Sequence, residues 1–411
     1  MFKVRQLVLP LALIAFATAV ASAENWPGWR GPRGDGSSTE ASLPLKWSAT
    51  RNIVWKVPIQ YGGHSSPVVW GDRVILVGAD TKNKRRMLQL LDRKTGKTLW
   101  ERAVLRSPLE GKHKLNSWAS GTPATDGRRI YVSFLDRTKM FVAAYDFDGK
   151  KLWAVRPGVF SSKHGYCSSP VLYKDKVIVN GDHDGDAYIV ALDRKTGKQH
   201  WRIERTNKTR SYCTPIIRTI HGRTQMILSG SKCVASYDPD TGKRHWILDG
   251  PTEQYVASLV MNKGLIFMTG GFPDKHMLAI DPSGRGNITD SRYVKWHHRR
   301  VGVSYVPSPV AAGDYFLVVS DSGIGSCFDA ASGKRLWKRR MGRRFSASLT
   351  AAGKRVYFLD DDGNCTVVRA GPKYSVIAKN SLGEATYASP ALSNGRIFIR
   401  GEEHLFCISA Q

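Results

Sequence analysis

The chain has 411 residues, of which 42% are hydrophobic, 10% aromatic and 23% charged. That composition belongs to an ordinary folded protein and excludes the disordered and collagen-like classes. Lys and Arg number 62 against 34 Asp and Glu, a formal net charge of +28, which favours anionic over cationic partners and carries no information about fold.

The chain opens with Lys3 and Arg5, an apolar run from Leu7 to about Val20, and Ala21-Ser22-Ala23. This is the pattern of a secretory signal peptide cleaved near Ala23. The run is short of the ~20 residues needed to span a bilayer, and no Cys follows it to carry a lipid. We therefore expect an exported protein, periplasmic or extracellular and soluble after cleavage. Residues 24–44 read as an N-terminal extension and residues 45–411 as a single domain.

A unit then recurs with a period of about 45 residues, the signature of a repeat architecture. It runs from Asp92 through Gly96 to Trp100, Asp193 through Gly197 to Trp201, Asp238 through Gly242 to Trp246, and Asp329 through Gly333 to Trp337. Asp146 to Trp153 is one residue shorter, and Asp281 to Trp296 is longer, with the Gly-rich insertion Gly284-Arg285-Gly286-Asn287. A seventh copy is degenerate, with Arg369 at the Asp position and Ile377 at the Trp position. In each copy an apolar strand leads into the Asp, and a tight turn then needs glycine for its positive φ. The Trp lies on the return strand, its indole N–H available to a backbone carbonyl.

Each repeat also opens on a small residue before Pro or Leu, at Ser66, Thr122, Ser169, Thr214, Ser258, Ser308, Ser348 and Ser389, and two short strands follow. With the Asp and Trp strands this makes four strands per unit. The last opening runs out before a Trp strand, and Ile53-Val54-Trp55-Lys56-Val57 near the N-terminus has the residues of one. We expect an all-β, eight-bladed propeller of four-stranded antiparallel blades, closed by the Trp55 strand completing the C-terminal blade.

These Asp-to-Trp units resemble the tryptophan-docking motif of the quinoprotein-type, or PQQ-like, β-propeller repeat family, and the resemblance covers nearly all of the chain after the leader. The stretch from Trp26 through Trp29 to Gly36, and that from Asn116 to Gly127, are similar to exported bacterial PQQ-binding-like propeller repeat proteins. Many of those borrow the name of an outer-membrane assembly lipoprotein. The resemblance implies either a binding or scaffolding module of the cell envelope, or a PQQ-dependent alcohol or sugar dehydrogenase. The dehydrogenases place an adjacent Cys-Cys pair at the quinone and hold calcium with acidic and amide side chains near a catalytic Asp. This sequence has no adjacent cysteines and no unmistakable calcium cluster, so PQQ with calcium is disfavoured and we expect a module without catalysis.

The residues before the blade openings gather around the axis of a propeller. They include His64, Trp118, His164, Tyr166, Arg210, Tyr212, Tyr255, Tyr305, Phe345 and Tyr387, which could floor a ligand pocket or pack between blades. Asp182, Asp184 and Asp186 alternate as calcium ligands can, yet Asp-Gly chemistry at that point is that of a hairpin turn. Asp360 to Asn364 occupies the same turn in another blade. The six cysteines read as small buried thiols, with Cys167 and Cys213 the one pair placed for a bridge. Asp321-Ser322-Gly323 lacks the context of a protease, and no phosphate-binding loop is present. Basic runs such as Lys338-Arg339-Arg340 point to an acidic polysaccharide or an envelope protein as partner, with a monomer expected and nucleic acid not expected in an exported chain.

Overall fold

The computed structural model describes residues 24–300 and 303–410; the leader expected at residues 1–23 lies outside them. The described strands form eight sheets arranged as an eight-bladed β-propeller. The first blade consists of Val68–Trp70, Arg73–Asp80, Arg85–Asp92 and Thr98–Arg106, from the axis outward. Blades two to seven follow in chain order, beginning at Ala124, Val171, Ile216, Val260, Val310 and Thr350. The eighth blade contains Ala391–Ser393, Arg396–Arg400 and His404–Ser409, and its outer strand is Ile53–Pro58, antiparallel to the last of these with Trp55 opposite Cys407.

The second and third strands of a blade are apolar nearly throughout because both of their faces are covered by neighbouring blades. Arg73–Asp80 and Arg85–Asp92 each bury six consecutive residues. Outer strands face water on one side, and Arg335–Arg340 exposes Arg335, Lys338, Arg339 and Arg340 while burying Trp337.

The Asp-to-Trp unit docks one blade on the next. Six Trp indoles donate directly to the turn of the following blade, among them Trp55 to Arg93 O at 2.9 Å, Trp100 to Phe147 O at 2.8 Å, Trp153 to Arg194 O at 3.1 Å and Trp201 to Pro239 O at 3.1 Å. Trp296 and Trp337 do the same to Ala330 O and Gly371 O, at 3.2 and 3.1 Å. The turn glycine is needed for two reasons. It adopts positive φ, 75° at Gly96 and 70° at Gly333, and it is the floor on which the preceding blade's ring lies. A Cβ at Gly333 would come within 2.6 Å of Trp296, and one at Gly96 within 2.8 Å of Trp55. The Asp ties the turn, Asp92 accepting from the Thr95 amide and hydroxyl, both at 2.8 Å.

Three details depart from the sequence reading. Trp246 does not reach a backbone carbonyl directly. Its indole donates to Gln225 Oε1 at 2.9 Å, and Gln225 Nε2 donates to Pro282 O at 3.1 Å, so the expected contact is relayed through an amide where the next turn carries the insertion. That insertion adds Gly286–Asn287 as a parallel fifth strand on blade four, and Ser37–Ser38 adds likewise to blade seven. Finally, the residue at the Trp position of blade seven is Ala378, opposite Val367, and not Ile377. Blade eight has no covalent turn to receive a Trp there, because its third and fourth strands come from opposite ends of the chain. Trp47, just before the closing strand, packs in the same apolar cluster as Ala378 and stacks on Tyr357 with ring centroids 6.4 Å apart.

Candidate functional site

The repeat openings form a belt around the axis. At seven of the eight openings the amide donates to the hydroxyl of the next blade's opening residue: Ser66 to Thr122, Thr122 to Ser169 and Ser169 to Thr214, at 3.0, 2.9 and 3.2 Å. The belt resumes from Ser258 to Ser308, Ser308 to Ser348, Ser348 to Ser389 and Ser389 back to Ser66, at 2.9, 2.9, 2.9 and 3.1 Å. A residue with a hydroxyl and little bulk is required at every opening to make this link near a crowded axis. The step from Thr214 to Ser258 is the gap, and there the Trp29 indole donates to Ser258 Oγ at 3.0 Å.

Trp29 belongs to an N-terminal strap that crosses one end of the axis. Trp26 bridges Val69 of blade one, Thr125 of blade two donates to Pro27 O at 2.8 Å, and Arg218 of blade four pairs with Asp35 at 2.9 Å. Arg30, buried, donates to Leu349 O at 3.0 Å and to Pro309 O. The strap shuts the channel at that end. What remains is a cavity of about 430 Å³ reached from the opening loops and floored by Trp29.

Of the residues expected around the axis, His64, His164, Arg210, Tyr212, Tyr305 and Tyr387 line this cavity. Four others do not. Tyr166 is buried between blades with its hydroxyl on Ser133 at 3.1 Å, and Tyr255 is buried with its hydroxyl on Gly250 O at 2.8 Å. Phe345 packs in the core between blades six and seven, and Trp118 donates to Glu110 O at 2.8 Å beside the Lys112 ammonium. Sequence reasoning missed Trp29, His113, Lys163 and Gln254, which also line the cavity. The strap motif was visible, but only the fold brings it beneath the axis.

Within the cavity His64 lies against Tyr387 with centroids 4.7 Å apart, and His164 stacks on Tyr212 at 6.2 Å and meets His113 at 5.3 Å. Burial, with Arg400 and Lys112 nearby, pushes the His64 imidazole down to about 4. Burial and Arg210 also lower His164, so both rings stay neutral donor-acceptors near pH 7. Burial raises the Tyr305 hydroxyl to about 12 and the Cys167 thiol to about 12. Arg210 holds Asp184 at 2.7 and 2.8 Å while its Nε is buried without a partner, as is Oε1 of Gln254. No Asp or Glu is among the described residues lining the cavity.

The Asp182 turn lies outside that lining. Asp182, fully buried, is held by Arg205 at 2.8 Å, Asp184 by Arg210, and Asp186 by Lys208 at 2.8 Å. The three carboxylates therefore answer three separate cations. All six cysteines are free thiols; Cys167 lines the cavity and Cys213 is buried, with Sγ 3.1 Å from Ala257 O.

The family model described as outer membrane protein assembly factor BamB matches residues 84–282 and 276–373. The chain belongs to this PQQ-like β-propeller repeat family. BamB of Burkholderia pseudomallei is 24% identical over 366 residues, covering 84% of each chain. The quinohemoprotein alcohol dehydrogenase ADH IIB of Pseudomonas putida is 36% identical over 137 residues, which are 30% of this chain and 19% of that one. Among solved structures, BamB from Moraxella catarrhalis superposes with a TM-score of 0.63 at 14% identity, over 87% of this chain and 99% of that one. The quinohemoprotein alcohol dehydrogenase from Comamonas testosteroni gives 0.61 at 13% identity, over 93% and 80%. These superpositions establish the shared fold.

PQQ with calcium is the pair that the resemblance to quinoproteins implied, and the cavity can be tested against it. Trp29 offers a flat face, and Arg210 and Lys163 offer cations. The carboxylates a calcium ion requires are absent from the described lining, and those of the Asp182 turn are engaged elsewhere. The donor set does not fit a calcium-dependent quinone.

Proposed function

We propose that the protein is an exported cell-envelope propeller that binds or scaffolds, holding an acidic ligand or partner segment in its axial cavity without catalysis. The observation that carries this reading is the one-ended cavity itself, whose lining combines hydroxyls, neutral imidazoles, aromatic faces and the Arg210 and Lys163 cations with no described carboxylate. Such a lining orients an anion. The orphaned Arg210 Nε and Gln254 Oε1 would gain partners from a ligand carrying both acceptor and donor atoms. The relatives named as outer membrane protein assembly factors support a scaffold, and the leader supports export. The net charge of +28 and the exposed cations of the blade-six outer strand support an acidic polysaccharide or acidic envelope protein as partner. We read residues 45–411 as one folding unit strapped by 24–44.

A PQQ-dependent alcohol or sugar dehydrogenase is the second reading, favoured by the Trp29 ring on the cavity floor and by the similarity to ADH IIB. One experiment separates the two. The chain from residue 24 onward is titrated with PQQ and calcium, and in parallel with a sulfated or uronic-acid oligosaccharide, in wild type and in Arg210→Ala. We expect saturable oligosaccharide binding weakened by the substitution, and neither a stoichiometric quinone absorbance nor dye reduction with alcohols. A tight one-to-one quinone complex that turns over alcohol would overturn the binding-module reading.

A further inference from the structure

Every opening hydroxyl around the axis accepts one hydrogen bond, from the preceding blade's amide or, at Ser258, from the Trp29 indole. Among the described residues none of the eight donates its own proton. Six of them, Ser169, Thr214, Ser258, Ser308, Ser348 and Ser389, line the axial cavity. The belt therefore surrounds the cavity with hydroxyl donors that the protein leaves unused, and because each comes from a different blade they are spread around a circle.

Two buried groups point to what completes them. Gln254 lines the same cavity, is 3% exposed, and its Oε1 has no donor, a deficit that a ligand hydroxyl would remove. Behind His64, the buried Arg400 donates to Ser65 Oγ at 2.8 Å, Val77 O at 2.6 Å and Tyr61 O at 2.8 Å, and among the described residues it has no carboxylate partner. A buried cation without a counter-ion beside a low-dielectric cavity favours negative charge within it.

We propose that the cavity takes the terminal ring of an anionic oligosaccharide, a uronic acid or a sulfated hexose, which enters end-on over Trp29. The assignment rests on the binding-module reading of the same cavity and adds which part of the ligand is held. A sugar ring carries hydroxyls around its edge, each both donor and acceptor, matching the free hydroxyls of the belt and the Gln254 oxygen. Its flatter face suits the Trp29 indole, and its acidic group answers Arg210. A peptide tail would bring its carboxylate to one point and its amides in line, leaving most of the circle unmet. The strap shuts the far end, so no chain can thread the axis. The volume of about 430 Å³ lies in the ~300–1,000 Å³ range of sites for one small molecule, so only the end of a chain fits.

The test is calorimetric titration of the protein from residue 24 onward with uronic-acid and sulfated oligosaccharides from monomer to octamer, at physiological salt. A sulfated cyclodextrin, an anionic sugar with no chain end, and an acidic peptide with a free C-terminus run beside them. We expect one chain bound per protein at every length, with affinity levelling off after the first few units and no competition from the cyclodextrin; the tighter series identifies the acidic group. Gln254→Ala should weaken binding by about fivefold or more, and Val256→Trp, which fills the cavity from a lining position, should abolish it. Melting curves establish folding. Gln254 makes no side-chain hydrogen bond among the described residues, so its variant keeps the test decisive if the Trp variant does not fold. Several proteins bound per octamer, competition by the cyclodextrin, or binding indifferent to both substitutions would overturn end recognition while leaving an anion-binding module. Binding of the peptide alone, blocked by Val256→Trp, would replace the sugar with a protein segment. Binding of no anion at all would overturn both this inference and the reading beneath it.

Discussion

Trp29 Nε1 donates to Ser258 Oγ at 3.0 Å, at the one step where the hydroxyl belt around the axis is not continued from blade to blade. The strap thus makes a contact that a repeat-to-repeat link makes elsewhere, and the same ring closes the channel. Trp29→Phe and Ser258→Ala should each cost about 1–2 kcal/mol, as for loss of a partly buried hydrogen bond. The double variant should cost less than their sum, since both remove the same interaction. Urea unfolding of the four proteins checks this, and strict additivity would mean that the two residues act independently.

Ring closure rests on the Trp55 strand. Trp55 is 8% exposed and bonds across the seam to Arg93 O, so Trp55→Ala should destabilise the protein by about 3–5 kcal/mol. Removal of residues 24–57 should abolish the cooperative melt. A truncated protein that melted like the full chain would show that the eighth blade closes without that strand.

Gly333 has a φ of 70° and leaves room for the Trp296 ring, to which an added Cβ would come within 2.6 Å. Gly333→Ala should cost about 1–3 kcal/mol through both strain and displacement of the ring. Gly353→Ala, at an open turn with nothing within 4 Å of the added carbon, should pay only for its positive φ. The difference between the two, read from denaturant midpoints, isolates the docking contribution.

The pH dependence follows from His64, whose imidazole falls from its ordinary 6.5 to about 4 in the folded protein. Between those values the unfolded chain holds a proton that the folded chain does not. Stability is therefore complete above 6.5 and declines as pH drops towards 4. The melting temperature should fall between pH 7 and about pH 5, and should fall less in His64→Gln. Equal declines would place the effect on other groups.

Binding to an acidic polysaccharide matrix should weaken steeply with salt, because exposed charges are screened beyond ~10 Å at 0.1 M. Elution from such a matrix across a salt gradient tests this, and retention indifferent to salt would exclude the basic surface as its cause.

The sequence by itself determined the blade number, the four-strand pattern and the closing strand. The signals for these are local and repeated: a turn that requires Gly96 or Gly333, a Trp at fixed spacing, and apolar runs where both faces of a strand are covered. It also located the openings at Ser66, Thr122 and their equivalents, but not the belt they form, since each hydroxyl's partner lies a whole repeat away. Tertiary structure alone decided which axial aromatics face the cavity. Tyr212 and Tyr305 line it while Tyr166 and Tyr255 are buried, with their hydroxyls on Ser133 and on Gly250 O. The Asp182, Asp184 and Asp186 run looked alike in sequence, yet each carboxylate found a different cation because Arg205, Lys208 and Arg210 approach it from three directions. Trp29 shows the same limit. A strap and an insertion are legible as departures from the repeat, but what they touch is fixed only when the ring closes.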